Sequence, residues 1–239
     1  MFAVENVYKK YKRTVLSGVN LSAEPGEIIG VAGENGSGKS TLLSIMTSVI
    51  KPDSGKVSVE GEDVFKNRKT LRRKVGFVPQ ENSLFGNLTA RDNLKFWASA
   101  YGCDWKNALN YLSADDLFLK TKVEKLSGGM RKRLSIAVSL AHDPLYLVMD
   151  EPTAGLDIGF KQSFVETALE LKKRGRGVIF TSHQPDELLA CDRIYVLKGG
   201  TFVYEGPPDK LASDGDFVSA LYSLIKGRPR HIENGTPFE

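Results

Sequence analysis

Apolar residues recur with two different spacings along this chain, and the spacing separates predicted strands from predicted helices. Short alternating or continuous apolar runs, many of them bounded by Gly or Pro, are typical of β-strands. They predict strands at residues 2–7, 14–16, 21–23, 27–31, 57–59, 75–78, 145–149, 178–180, 194–197 and 201–204. The last two flank Gly199-Gly200, which favours a hairpin between them.

Helical spacing dominates the middle of the chain. Thr89 and Asp92 have the spacing of an N-terminal capping box, with Asp in place of Glu or Gln, and Gly102 is suited to ending that helix. A second helix is predicted over residues 127–141, because apolar residues recur there every three or four positions. Helices are also predicted from about residue 39 and over residues 160–174.

The order of these elements predicts an α/β fold. Strands and helices alternate on both sides of the middle segment, which favours a mainly parallel sheet interrupted by a helical insertion. We predict a core domain formed by residues 1–87 and 142–225, a helical subdomain at 88–141, and a flexible polar tail at 226–239.

Composition changes this picture little. The chain has 239 residues, 41% of them hydrophobic, and its formal net charge of +4 indicates no particular partner. No apolar run approaches the roughly 18 residues that cross a bilayer, and the N-terminus has no secretory pattern. Cys103 and Cys191 form no CxxC pair, so we expect a protein of the reducing cytoplasm.

The most informative motif lies between the predicted strand at 27–31 and the helix that begins near residue 39. It has the P-loop pattern G-x-x-x-x-G-K-[ST], whose backbone N–H groups and helix start bind phosphate. The lysine reaches the β- and γ-phosphates, and the following hydroxyl binds Mg²⁺. The sequence therefore predicts a nucleoside triphosphate site that includes Gly33, Asn35, Gly36, Ser37, Gly38, Lys39, Ser40 and Thr41.

Two further motifs carry candidate chemistry. The apolar strand at 145–149 ends in Asp150, which is placed to hold Mg²⁺, and Glu151, a candidate to orient or deprotonate water. Ser127-Gly128-Gly129 is a second helix start that a phosphate can approach closely. Since the P-loop already holds the phosphates of its own nucleotide, this second start suggests a composite site shared between two chains; a simple capped helix is the alternative.

Together these motifs resemble those of the ATP-binding subunits of ABC transporters, over about residues 1–210. The P-loop, Gln80, residues 126–130, Asp150-Glu151 and His183 stand in the family's order. One departure is Met130, where the family signature most often has Gln. The resemblance implies a P-loop NTPase core with an N-terminal antiparallel β subdomain, and ATP and Mg²⁺ as cofactors.

The resemblance also implies roles for individual residues. Tyr11 would stack on adenine, although a strand-edge tyrosine beside Tyr8 is the alternative. Gln80 would contact the metal or the attacking water, and His183 would donate to the γ-phosphate. Ser127 and Gly129, with the adjoining Gly128, would bind the ATP of the opposite subunit, and Asp157 would lie in a loop that crosses the dimer interface.

We expect from this resemblance an ATPase that dimerises head-to-tail on ATP and drives integral membrane subunits, which we expect to be separate polypeptides. The second ATP-binding subunit is either a copy or a paralogue, and we expect no nucleic-acid partner. The protein would lie in the cytoplasm, on the inner face of the cell membrane. The alternative is a soluble ABC-type ATPase of an assembly scaffold, as in iron–sulfur cluster biogenesis.

Two sequence features bear on the transport partner and leave alternatives open. Residues 128–135 are similar to exporter signatures, although Arg131, Lys132 and Arg133 can equally form a solvated helix face. The stretch at 81–94 can dock a coupling helix of a membrane subunit through Leu84, Phe85 and Leu88. Alternatively, these three residues belong to the core of the helical insertion.

Overall fold

The apolar runs of the sequence form the strands of two sheets in the computed structural model of the chain, which describes residues 1–81, 83–112, 114–212 and 216–226. The first sheet is antiparallel and contains β1 (Phe2–Lys10), β2 (Thr14–Ala23), β4 (Ser54–Val59) and β5 (Glu62–Asp63) in the order β2-β1-β4-β5. The predicted antiparallel N-terminal region is confirmed by this sheet. The prediction of separate strands at 14–16 and 21–23 is wrong, because both belong to β2.

The second sheet is the larger one and has six strands. They are β3 (Ile28–Gly33), β6 (Val75–Val78), β7 (Tyr146–Met149), β8 (Gly177–Thr181), β9 (Arg193–Lys198) and β10 (Thr201–Gly206), in the order β10-β9-β3-β8-β7-β6. Every pairing is parallel except that of β9 with β10, which form the predicted hairpin through Gly199-Gly200. The expectation of a mainly parallel sheet is confirmed.

Nine α-helices accompany these strands in the described part of the chain. They are α1 (Lys39–Met46), α2 (Arg68–Lys74), α3 (Ala90–Tyr101), α4 (Asp116–Lys120), α5 (Gly128–Leu140), α6 (Ile158–Lys173), α7 (Pro185–Leu189), α8 (Pro208–Leu211) and α9 (Phe217–Lys226). Short 3-10 helices cover Trp105–Tyr111 and Val123–Lys125. None of the helices in the described residues has the length and apolar character that crossing a membrane requires.

The helix ends follow from local chemistry. Thr89 caps α3 by accepting a hydrogen bond from the Asp92 N–H, and Gly102 ends it in the left-handed conformation, as the sequence predicts. Ser127 caps α5 in the same way, with its side chain accepting from the Met130 N–H. The predicted helices at 127–141 and 160–174 therefore exist, with α6 beginning two residues earlier than expected.

The core of the described residues contains three apolar clusters. The first fills the space between the two sheets and includes the buried face of α1. The second lies on the other face of the parallel sheet, under α6 and α9. The third belongs to the helical segment and joins α3, α4 and α5. The division of the chain into domains at 87/88 and 141/142 stays a prediction, and residues 227–239 of the predicted tail lie outside the described residues.

Candidate functional site

Four loops meet at the carboxyl edge of the parallel sheet. The P-loop follows β3, His183 follows β8, Asp150-Glu151 follows β7, and Gln80 follows β6, and these four strands are neighbours in that order. Because parallel strands all end at the same edge, residues far apart in sequence are brought together there. The sequence predicted each of these loops but not their adjacency.

The P-loop turns sharply between β3 and α1, and two glycines are required for that turn. Gly38 precedes α1 with φ of 111°, in the left-handed region, and a Cβ there would lie 3.0 Å from the Val15 carbonyl oxygen. A Cβ at Gly33 would lie 2.5 Å from the Leu197 carbonyl oxygen. Side chains at these positions would therefore move the loop.

The start of α1 presents backbone donors rather than a capping side chain. Gly38 is the N-cap residue and supplies no side-chain hydrogen bond, so the N–H groups of the first turn are left for a ligand. Lys39 is only 5% exposed, and its Nζ donates to the carbonyl oxygens of Gly33 and Glu34 at 2.9 and 3.1 Å. The ammonium is thus held inside the loop, where phosphate oxygens would replace these two carbonyl oxygens as its partners.

Asp150 and Glu151 are fixed by a hydroxyl on the neighbouring strand. Thr181 Oγ1 donates to Asp150 Oδ1 at 2.6 Å and accepts from the Glu151 N–H at 2.8 Å. Asp150 is 6% exposed, and its backbone N–H bonds to the Val78 carbonyl oxygen. Glu151 has a φ of 42°, a left-handed conformation that costs a non-glycine residue about 1–3 kcal/mol.

Three polar side chains surround the Glu151 carboxylate. Lys39 Nζ lies 3.7 Å from Oε1, His183 Nδ1 lies 4.0 Å from Oε1, and Gln80 Nε2 lies 3.4 Å from Oε2. The His183 side chain is about half exposed, whereas that of Glu151 is 14% exposed. A carboxylate with these neighbours can hold a water molecule at the mouth of the P-loop.

An open cleft of about 410 Å³ joins the P-loop to Gln80 and Glu151. Tyr11 lies at its rim and is 53% exposed, with Lys9 Nζ 5.4 Å from the centre of its ring. Ser37 does not line the cleft, and its buried Oγ has no hydrogen-bond partner among the described residues. The residues that line the cleft are Tyr11, Val15, Asn35, Gly36, Gly38, Lys39, Ser40, Thr41, Gln80 and Glu151.

The oxygen donors in the cleft and at the adjoining end of β7 suit Mg²⁺. Ser40 contributes a hydroxyl, Gln80 an amide carbonyl and Asp150 a carboxylate, and this small hard cation prefers such oxygen ligands. Thr181 occupies Asp150 Oδ1, while Oδ2 has no hydrogen bond within the described part of the chain. The residues that the sequence predicts as metal ligands therefore fit the ion.

The residues predicted to bind the ATP of a second subunit lie outside this cleft. Ser127, Gly128, Gly129 and Asp157 are not among the described residues that line the cleft. A Cβ at Gly128 would lie 3.1 Å from Leu156 Cδ2, so the start of α5 is close to the loop that leads to Asp157. Asp157 itself caps α6, with Oδ1 accepting from the Phe160 N–H at 2.8 Å.

Sequence reasoning did not find three residues that support this site. Thr181 is the first, and the signal that could have found it is a hydroxyl at the end of a buried strand. Glu187 is 2% exposed and accepts hydrogen bonds from Ser182 Oγ and Thr153 Oγ1, which joins the loops after β8 and β7. Its position in α7 gave no signal.

Lys132 is the third, and its burial contradicts the interpretation of a solvated face at this position, whereas Arg133 is exposed as that interpretation expects. It is 5% exposed, and its Nζ donates to the carbonyl oxygens of Pro79 and Gln80 at 3.2 and 3.0 Å. Burial lowers its pKa, which the nearby Asp150 carboxylate partly opposes. The uninterrupted run of small and apolar residues after Arg133 is a signal that α5 is buried on all sides from Leu134 to Leu140.

Comparisons with known proteins agree with this geometry. The family model described as ABC transporter matches residues 16–154. The linearmycin resistance ATP-binding protein LnrL of Bacillus subtilis (strain 168) is 37% identical, over 92% of this chain and 74% of that protein. The Nod factor export ATP-binding protein I of Rhizobium etli is 35% identical, over 96% of this chain and 75% of that protein.

A solved structure has a similar fold and a relevant state. It is a dimeric ATP-binding cassette in a post-hydrolysis state, bound to ADP and Pi. It superposes with a TM-score of 0.79 at 29% identity, and the match covers 87% of this chain and 98% of the other.

Proposed function

We propose that this chain, which belongs to the ABC transporter family, is the ATP-hydrolysing subunit of an exporter and drives separate membrane subunits. It is an ATPase with the P-loop fold. The observation that carries the proposal is the meeting of Lys39, Gln80, Glu151 and His183 at one sheet edge. Export is proposed because the two relatives are named for linearmycin resistance and Nod factor export.

ATP binding begins at α1. The first-turn N–H groups and the positive end of the helix dipole attract the β- and γ-phosphates, and Lys39 adds a full charge that is already desolvated. Tyr11 at the rim provides a ring for adenine. Ser40, Asp150 and Gln80 would hold Mg²⁺, which neutralises charge on the phosphates when bound.

Hydrolysis is assigned to the Glu151 carboxylate. It lies at the mouth of the P-loop, and its strained backbone is held by Thr181, so the carboxylate is positioned to orient and activate a water molecule there. Gln80 bonds to the second carboxylate oxygen, and His183 lies beside the first. Lys39 and His183 then stabilise the charge that develops on the transferred group.

The remaining signature residues are assigned to a second ATP-binding subunit. Ser127, Gly128, Gly129 and Asp157 lie together but away from this chain's own cleft. A dimer places such a surface on the nucleotide of the opposite chain, and the structural relative at 29% identity is dimeric. We therefore propose a head-to-tail dimer with two composite sites.

A membrane subunit is proposed to dock beside Gln80. Phe85 is 40% exposed and Phe96 is 49% exposed, and their rings meet edge to face at 4.8 Å between centroids. Exposed aromatic groups of this kind mark interaction surfaces. Leu84, by contrast, packs into the helical cluster, so only Phe85 of the predicted docking residues supports that role strongly. The relatives are named for transport, so the assembly-scaffold alternative is not favoured.

Replacement of Glu151 tests this function. Glu151→Gln keeps the shape and the backbone but lowers the basicity of the group that activates water, so hydrolysis should slow by about 10²–10⁴-fold while ATP binding is retained. Phosphate release gives the rate, calorimetry gives the affinity, and light scattering should detect an ATP-stabilised dimer. Phosphate release at a near-normal rate would remove Glu151 from the mechanism.

A matched control separates the loss of a negative charge from the loss of the group that activates water. Glu166→Gln removes a carboxylate from α6, outside the cleft, and should leave both hydrolysis and dimerisation unchanged. Co-purification of the Glu151→Gln dimer with an integral membrane protein from detergent extracts would support the transporter assignment. Co-purification with soluble scaffold proteins alone would contradict it.

A further inference from the structure

Lys132 is a buried charged group that does not line the nucleotide cleft. It lies in the second turn of α5, five residues after Ser127, and it is 5% exposed. A buried ammonium is costly unless hydrogen bonds compensate for the water it loses. The compensation here comes from the backbone carbonyl oxygens of Pro79 and Gln80, at 3.2 and 3.0 Å.

These two carbonyls belong to the segment that carries a proposed catalytic side chain. Gln80 directly follows Pro79, and its Nε2 bonds to Glu151 Oε2 at 3.4 Å. The backbone of Gln80 is thus held by Lys132 on one side, while its side chain faces the carboxylate on the other. A shift of the backbone by 1 Å would break this hydrogen bond.

We propose that Lys132 is a positioning residue for ATP hydrolysis, which fixes the Gln80 backbone so that its side chain meets Glu151. The proposal rests on the assigned roles of Glu151 and Gln80. It also links the two composite sites of a dimer. In the proposed dimer the start of α5 would face the nucleotide of the opposite chain. Lys132 of the same helix bonds to the backbone of Gln80, whose side chain contacts this chain's own Glu151.

A lysine suits this position because its ammonium has several donors on a long flexible stem. It reaches two adjacent carbonyls from the second turn of α5. Methionine has a similar length and volume and no charge, so Lys132→Met removes both hydrogen bonds without a large cavity. Lys132→Arg keeps a cation and its donors.

The first measurement is steady-state hydrolysis by the full chain. A small misplacement of a catalytic group costs about 10- to 100-fold in rate, so Lys132→Met should lower kcat by that factor. Its KM for ATP should stay within about twofold, because the residue touches no phosphate in this arrangement. Lys132→Arg should recover most of the lost rate.

The decisive measurement is a double-mutant cycle with Gln80→Ala. If Lys132 acts through the Gln80 side chain, Lys132→Met has no further effect on kcat once that side chain is gone. The same fold-reduction in both backgrounds would overturn the proposal. If Gln80→Ala alone leaves kcat unchanged, the assigned role of Gln80 is wrong. The proposal that Lys132 acts through Gln80 is then wrong as well.

Ser139→Ala is the matched structural control. Ser139 lies on the same helix, and its Oγ donates to the Phe77 carbonyl oxygen at 2.9 Å, on the strand that leads to Gln80. Its loss should lower stability to urea without changing kcat by more than about twofold. If Lys132→Met is recovered unfolded, Lys132→Gln replaces it in the cycle. A kcat loss for Ser139→Ala equal to that of the Lys132 variant would reduce Lys132 to a general structural contact.

Discussion

Two helices in this molecule begin next to glycines, and they differ in what their first turns leave available. The α1 helix begins after Gly38, which offers no side-chain cap, so its first N–H groups face an open cleft. The α5 helix begins after Ser127, whose hydroxyl already accepts from the Met130 N–H at 3.2 Å. One start is a free anion site, and the other is partly satisfied by its own chain.

This difference supports the proposal that one P-loop is only part of the site. The start of α1 has a charged partner, Lys39, and a carboxylate nearby, Glu151. The start of α5 lies outside the cleft and has only its hydroxyl and two glycines to offer a ligand. We therefore propose that the first binds ATP within one chain and that the second acts on nucleotide held by another chain.

Among the tests of this comparison, the largest expected change in turnover comes from a substitution at the α5 start. Ser127→Arg places a bulky cation where the opposite subunit's γ-phosphate would lie, so turnover should fall by about 10²–10³-fold, the range for loss of an aligned electrostatic group. ATP affinity of the isolated chain, measured by calorimetry at low protein concentration, should change by less than about twofold.

Ser99→Arg is the control for the added charge, because Ser99 is exposed on α3 and away from the cleft. It should leave turnover intact in the absence of membrane subunits. Loss of ATP binding by monomeric Ser127→Arg would contradict the comparison, since it would mean that Ser127 serves its own chain's nucleotide.

The next effect tests the α1 start. Lys39→Ala removes a charge-assisted contact worth about 1.5–3 kcal/mol, so the dissociation constant for ATP should rise by roughly 10- to 100-fold. Unlike Ser127→Arg, this change should act in the isolated chain. Lys173→Ala, which removes an exposed lysine of α6, is the control and should bind ATP normally. Unchanged affinity in Lys39→Ala would place the phosphates elsewhere.

The smallest effect concerns the rim of the α1 site. Tyr11→Ala removes a stacking ring worth about 0.5–1.5 kcal/mol, so ATP affinity should fall by roughly 2- to 10-fold, whereas Tyr11→Phe should bind as the original chain does. Tyr8 offers the matched control, since it is also exposed on the same strand-and-turn region. An effect of Tyr8→Ala in place of Tyr11→Ala would assign the adenine platform to Tyr8.

Much of the architecture could be predicted from local patterns. The P-loop turn, the caps at Thr89 and Ser127 and the Gly199-Gly200 hairpin depend on residues within a few positions of each other. The continuity of β2 could not be predicted. Gly18, with φ of 69°, and Asn20 interrupt its apolar pattern, but the strand continues because β1 pairs along its length through register shifts.

The candidate site divides in the same way. Local motifs identified Lys39, Asp150 and Glu151, because the chemistry of phosphate and Mg²⁺ demands those groups at those spacings. The contacts of Lys132 with Gln80 and of Glu187 with Thr153 span dozens of residues. No periodicity or spacing in the sequence encodes such a pairing, so these residues looked like ordinary helix positions.

The sequence by itself determined the candidate nucleotide-binding groups, the starts of α1, α3 and α5 and the positions of most strands, because capping, turn and phosphate chemistry operate over a few residues. The tertiary structure decided which loops become neighbours. Four parallel strands end at one edge, and this brings Gln80, Glu151 and His183 to the P-loop while leaving Ser127 outside the cleft. That selection depends on strand order and long-range burial, which are properties of the packed chain rather than of any segment.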